Sequence, residues 1–155
     1  MADSSADSRF ADPGADSPGF VLWQVTLAWQ REVAEALRPL ELTHVQFVLL
    51  ACAWWLGRSA PLPSQLDVAR QAGTDPKMTS EVLRRLEAKG LLVRTVDPAD
   101  TRVRRIEVTP AGAALAGRAV QVVEATDAQF FGPHGPALLA SLRPLGTRER
   151  TPRAG

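Results

Sequence analysis

The chain has 155 residues, 45% of them hydrophobic, which suits one domain with a core of its own. Its single cysteine, Cys52, excludes an intrachain disulfide and a cysteine zinc cage, and no apolar run reaches the roughly 18 residues of a membrane span. The net charge of +1 hides an uneven distribution: Pro76 to Arg105 carries eight basic residues against four acidic, whereas the first twenty residues carry four Asp against Arg9.

Met1 to Pro18 is Ala, Asp, Ser, Gly and Pro with little to bury, so a disordered tail (1–18) is expected, and another over Thr147 to Gly155 (147–155). The acidic start is unlike the basic, then apolar, start of a secretory leader, so the expected compartment is the cytoplasm. Phe20 to Leu37 reads as the first helix, with Leu22, Val25, Trp29, Val33 and Ala36 at helical spacing and Trp23, Leu27 and Leu37 widening the apolar face. That breadth suggests packing on a second copy of the chain. Thr43 and Gln46 form a capping box, with Leu42 and Phe47 placed as a hydrophobic staple. The helix they start runs to Leu56, is apolar nearly all round, and so belongs at the centre of the fold.

Ser64 caps a short helix, Gln65 to Ala72, with Asp67 near the positive end of its dipole and Gly73 at its end. Asp75 caps the next, with Pro76 in the first helical position. Along it Thr79, Val82, Leu83 and Leu86 share a core-facing side. Lys77, Ser80, Glu81, Arg84 and Ala88 share the other, and Met78 and Arg85 flank them. A helix exposing Lys, Ser and Arg suits the major groove of DNA. Clustered cations favour a partner rich in phosphate because binding releases its counterions; on charge alone an ordinary solvated face explains them equally well.

Gly90 ends that helix. Leu91 to Thr95 and Val103 to Thr109 read as strands, joined by a turn-rich tip with Pro98, Asp97 and Asp100. Thr109-Pro110 starts a long helix, Ala111 to Phe131, and Ala137 to Leu145 forms a last short one. The fold class is mainly α with a small β wing, a winged helix-turn-helix.

The runs Leu42-Thr43-His44-Val45-Gln46-Phe47, Leu83-Arg84-Arg85-Leu86-Glu87-Ala88-Lys89-Gly90-Leu91, and Asp100-Thr101-Arg102 followed by Val108-Thr109-Pro110-Ala111-Gly112, in this order and spacing, resemble the multiple-antibiotic-resistance regulator (MarR) family of winged-helix repressors. The resemblance spans Phe20 to Leu145. It implies one domain over 19–146, with residues 43–109 as the DNA-binding part and residues 19–40 and 110–146 as the helices of an obligate homodimer. It implies a cytoplasmic regulator of transcription, a repressor released by a small, aromatic effector, with no cofactor. The alternative is a winged-helix protein-interaction or architectural module without an effector.

The same resemblance places reading helices in adjacent major grooves of a pseudo-palindromic operator in double-stranded DNA, with half-sites roughly 10 bp apart. By position, Lys77, Ser80, Glu81 and Arg84 touch bases or phosphates, and Ser64 and Gln65 touch backbone. Arg102 enters the minor groove, held by Asp100; the other reading is a salt bridge to Asp100 alone. Met78 on the flank and Arg104 on the second strand complete the candidate set. Where Glu81 stands, the family often has a basic residue; Glu81 repels phosphate yet can accept from a cytosine amine. Arg94 and Arg105 are further phosphate candidates. For the effector, Trp23, His44, Trp54 and Trp55 are the candidate residues, with Trp29 beside them, against core packing as the plain reading.

Cys52, within an apolar run, is read as an inert thiol, and His44 and His134 lack a second ligand at metal spacing. No paired carboxylates, glycine-rich phosphate loop or nucleophile–base pair marks an enzyme.

Overall fold

The computed structural model describes residues 9–146. In chain order these form α1 (Pro13–Asp16), α2 (Pro18–Leu37), α3 (His44–Leu56), α4 (Gln65–Ala72), α5 (Pro76–Ala88), β1 (Leu92–Val96), β2 (Arg104–Val108), α6 (Pro110–Phe131) and α7 (Gly135–Gly146), with short 3₁₀ turns after α2 and α6.

Helix boundaries follow the caps. The Gln46 amide donates to Thr43 Oγ1 and the Thr43 amide to Gln46 Oε1, both at 3.2 Å, which closes the capping box of α3. Ser64 and Asp67 do the same for α4, at 3.1 and 2.8 Å. Asp75 Oδ1 accepts from the amides of Lys77 and Met78 at 2.9 and 3.0 Å, leaving Pro76 where no donor is needed. Between α4 and α5, Gly73 turns the chain with φ of +67°, a left-handed conformation that a side chain would strain.

Helix α3 is the hub, packing against α2, α4, α5, α6 and β2. Leu49, Leu50 and Ala53 of α3, Val33 and Leu37 of α2, Val82, Leu83 and Leu86 of α5, Ile106 of β2, and Ala116 and Ala119 of α6 make one buried cluster. In the last turn of α3, Ala53, Trp54 and Leu56 stay on the core and Trp55 turns out, 61% exposed.

The strands pair antiparallel, Leu92 opposite Val108 and Val96 opposite Arg104. β1 starts one residue later than expected and runs one residue further, and β2 is one residue shorter than expected at each end. Ahead of β1 the Leu91 amide is spent on Leu86 O (3.1 Å) and the Gly90 amide on Glu87 O (2.8 Å), a closure of α5 that delays β1 until Leu92. The wing is tied back to the domain by the Ile106 amide, which donates to Pro63 O at 2.9 Å.

Residues 12–18, which composition places in a disordered tail, carry two helix starts. Asp12 Oδ1 accepts from the amides of Gly14 and Ala15, forming α1. Ser17 Oγ accepts from the Phe20 amide, so α2 starts at Pro18. Caps need only short polar side chains and no burial, which is why a burial argument misses them. The first eight residues of the tail expected over 1–18, and all of the one expected over 147–155, lie outside the described residues. Among the described residues no single helix is long and apolar enough to cross a membrane; α2 and α3 meet that test only as a pair bent by 73°.

Candidate nucleic-acid interface

Helix α5 buries Thr79, Val82, Leu83 and Leu86, which turns Lys77, Met78, Glu81, Arg84 and Arg85 outward with Ser80 half-buried between them. Thr79 is a polar core residue with a task. Its hydroxyl donates to Asp75 O and lies 2.8 Å from Thr74 Oγ1, which locks the turn before α5. Among the described residues neither Lys77 nor Arg84 has an ion-pair partner, whereas Arg85 reaches Glu81 at 2.6 Å. At the start of α4, Ser64 is occupied by its cap, its hydroxyl donating to Asp67 Oδ2 at 2.7 Å. Gln65 Oε1 is buried without a donor among the described residues.

The wing divides its cations into two kinds. Arg105 turns inward: Nε donates to Asp97 Oδ2 at 2.5 Å and Nη1 to Leu62 O at 3.0 Å. Asp97, 8% exposed, uses its other oxygen to accept from the amides of Ala99 and Asp100. Arg94 is paired with Glu87 at 2.8 Å. Both guanidinium groups are thus engaged within the fold and mostly covered, 19% and 29% exposed. Arg102 is the opposite case. Asp100 accepts from its amide at 3.0 Å and its Nε at 3.2 Å, which orients a side chain that stays 90% exposed. Arg104 is exposed too, near Thr101 O.

These carboxylates sit below their usual range. Asp97 is lowered first by the Arg105 hydrogen bond, Glu87 by the Arg94 amide, Asp67 by the Ser64 hydroxyl, and Asp100 by Arg102. Depressed folded values contribute stability that is complete above the unfolded carboxylate pKa of about 4 and is lost as pH falls through the folded pKa. Urea midpoints should therefore fall steeply below about pH 4 as these carboxylates take up protons, after a shallower fall that starts below about pH 6.5 because burial holds the His44 pKa down. Asp97→Asn should flatten the steep fall, and an unchanged acid limb in the variant would count against the Asp97–Arg105 bracket.

The four effector candidates do not come together. Trp23 is 59% and Trp55 61% exposed, and the Arg58 guanidinium lies over the Trp54 and Trp55 rings at 4.6 and 4.7 Å. His44 stands at a cleft of about 740 Å³, whose lining includes Arg31, Arg38, Leu42 and Lys89 but none of Trp23, Trp54 and Trp55. Its ring meets Trp29 edge-on at 5.0 Å, and Trp29 Nε1 donates to Asp127 Oδ1 at 2.7 Å, joining α2 to α6. Burial lowers the His44 pKa, partly offset by the Asp127 charge. A second cleft of about 490 Å³ is lined by Val25, Ala28, Phe130, Phe131, His134 and others, but by none of Trp23, Trp54 and Trp55. Periodicity marks tryptophans without showing which ones share a cavity, and nothing in the spacing pairs Trp29 with Asp127. Cys52 is half-buried, and burial pushes its thiol pKa up.

A two-helix turn followed by a hairpin with an exposed basic tip defines the winged-helix class of DNA-binding folds. Residues 42–103 match the MarR family. The chain is 40% identical over 124 residues to the uncharacterized HTH-type transcriptional regulator YdcH of Bacillus subtilis, covering 80% of this chain and 84% of that protein. It is 38% identical over 117 residues to the HTH-type transcriptional repressor Rv2887 of Mycobacterium tuberculosis, covering 75% and 81%. The chain thus belongs to the MarR family of transcriptional regulators.

Solved structures agree. Rv2887 in complex with salicylic acid matches with a TM-score of 0.63 at 34% identity, over 86% of this chain and 99% of that one. CouR from Rhodococcus jostii RHA1 matches with a TM-score of 0.72 at 30% identity when bound to p-coumaroyl-CoA, over 84% and 89%. Bound to a 23-mer DNA duplex, the transcriptional repressor CouR matches with a TM-score of 0.74 at 25% identity, over 91% and 99%.

Proposed function

We propose that this regulator is a cytoplasmic homodimeric repressor that binds a pseudo-palindromic duplex operator and releases it when a small aromatic acid binds. The observation that carries the reading is the division of cations between Pro76 and Arg105. Arg94 and Arg105 are paired with carboxylates and mostly covered, and Arg85 is tied to Glu81, while Lys77 and Arg84 on α5, Arg104 on the wing, and Arg102, paired with Asp100 yet 90% exposed, face outward and are available to DNA. Arg84 reads a base edge, Lys77 and Ser80 hold phosphate or base, Met78 lines the flank, and Arg102, steadied by Asp100, enters the minor groove. Ser64 and Gln65 at the α4 N-terminus meet the DNA backbone.

The second copy is argued from surface. Phe20, Leu22 and Trp23 at the start of α2 and Leu139 and Leu145 on α7 are 45–59% exposed, more apolar surface than a lone domain usually leaves in water. The effector class is supported by salicylic acid on Rv2887 and by the aromatic acyl group of p-coumaroyl-CoA on CouR. The cleft beside His44 sets the cations Arg31, Arg38 and Lys89 around the imidazole, with Glu35 and Glu41 among them, and the cations suit the carboxylate of such a ligand.

Selection of bound duplexes from a random pool, with sedimentation to give mass, tests the reading. The expected result is a dimer enriching a two-fold symmetric motif, with half-sites about 10 bp apart and log-linear loss of affinity with salt. Salicylate should then weaken the complex. A monomer, or a dimer that binds all duplexes alike, would defeat it.

A further inference from the structure

Four acids lie between Pro76 and Arg105, and three have both carboxylate oxygens filled. Glu87 accepts from the Arg94 amide on Oε1 and from Arg94 Nε on Oε2. Asp97 accepts from two amides on Oδ1 and from Arg105 on Oδ2. Asp100 accepts from Arg102 on both oxygens. Glu81 is the exception. Arg85 Nη2 fills Oε1 at 2.6 Å, and among the described residues no donor reaches Oε2.

The pair does little for the fold, because its side chains are 64% and 56% exposed. It also stands in an unfavourable place for an idle acid, on the exposed side of α5 with Lys77, Ser80 and Arg84, where a carboxylate repels phosphate. Arg85 offsets that charge and holds one oxygen, which leaves a steadied acceptor on a surface otherwise made of donors.

Base edges in the major groove discriminate sharply against such an acceptor. Guanine presents N7 and O6, and thymine presents O4, all of them acceptors. Adenine offers its N6 amine only beside the N7 acceptor. Cytosine alone presents an amine with no acceptor on its own edge. We propose that Glu81, held by Arg85, is a specificity-determining residue that accepts from the N4 amine of one cytosine in each half-site. This rests on the DNA-binding reading above.

The test uses the full chain and its selected operator. Each half-site should contain a fixed cytosine, and replacing that base by 2-pyrimidinone, which lacks the amine, should weaken wild-type binding about tenfold. Glu81→Gln should move the preference at that position from cytosine toward adenine, whose N6 and N7 suit an amide. Glu81→Ala should abolish the preference and raise affinity for unrelated duplexes. An alanine variant that changes affinity equally for all four bases would reduce Glu81 to a surface ion pair and overturn the proposal. So would a wild-type motif whose cytosines tolerate the 2-pyrimidinone exchange, with the DNA-binding reading left standing. Wild-type protein that enriches no duplex would overturn both.

Discussion

Replacing Arg84 with alanine is expected to weaken operator binding by about 30-fold per half-site and to relax the preference at one base position, leaving the melting temperature unchanged. The size follows from a bidentate base contact, about 2 kcal/mol in the usual range. The sparing of stability follows from the structure: Arg84 lies on the exposed side of α5 and has no ion-pair partner among the described residues. Lys77→Ala provides the contrast, with affinity lost evenly across sequences and a salt slope shallower by about 1, as for a phosphate contact. Titration of variant and wild type against the selected operator and a scrambled duplex, at two salt concentrations, separates the two roles. Equal losses on both duplexes for Arg84→Ala would move Arg84 from base to backbone.

The second large effect concerns the joint between wing and long helix. A Cβ added at Gly112 would lie 1.8 Å from Leu91 O, 2.8 Å from Leu91 C and 2.9 Å from Val108 Cγ1. Two of these are backbone atoms just ahead of β1, and Leu91 O already accepts from the Thr109 amide at 3.1 Å. Relief requires α6 to move off β1, which disturbs the buried Leu91, Leu92 and Ala116. Helix propensity favours alanine over glycine by about 1 kcal/mol, but overpacking against backbone costs more. Gly112→Ala should destabilise the protein by about 3 kcal/mol, lowering the melting temperature by about 10 °C. A thermal scan that shows no loss would mean that α6 can slide freely on the wing, contrary to the packing described.

Residue order alone reveals whatever depends on close neighbours in the chain or on a simple period. The pairs Thr43/Gln46 and Ser64/Asp67, and the starts Asp75-Pro76 and Thr109-Pro110, place helix starts where the structure has them, because a cap is a contact across two or three residues. The stripe Thr79, Val82, Leu83 and Leu86 is likewise legible, since helical spacing must bury one side of α5 and expose Lys77 and Arg84 on the other.

Contacts made across the fold are a different matter. Arg94, Arg104 and Arg105 look alike in a list of basic residues, yet two are bound to carboxylates and one is outward. Arg105 reaches Asp97 across the hairpin and Leu62 O, 43 positions away. Trp29 finds Asp127 at a separation of 98 residues, while Trp23 and Trp55, equally aromatic, are left in the open. Gly112 is indispensable only because α6 returns onto Leu91. Strand register and the docking of α6 decide which charges meet and which rings share a wall. Those decisions are through-space, and no local spacing encodes them.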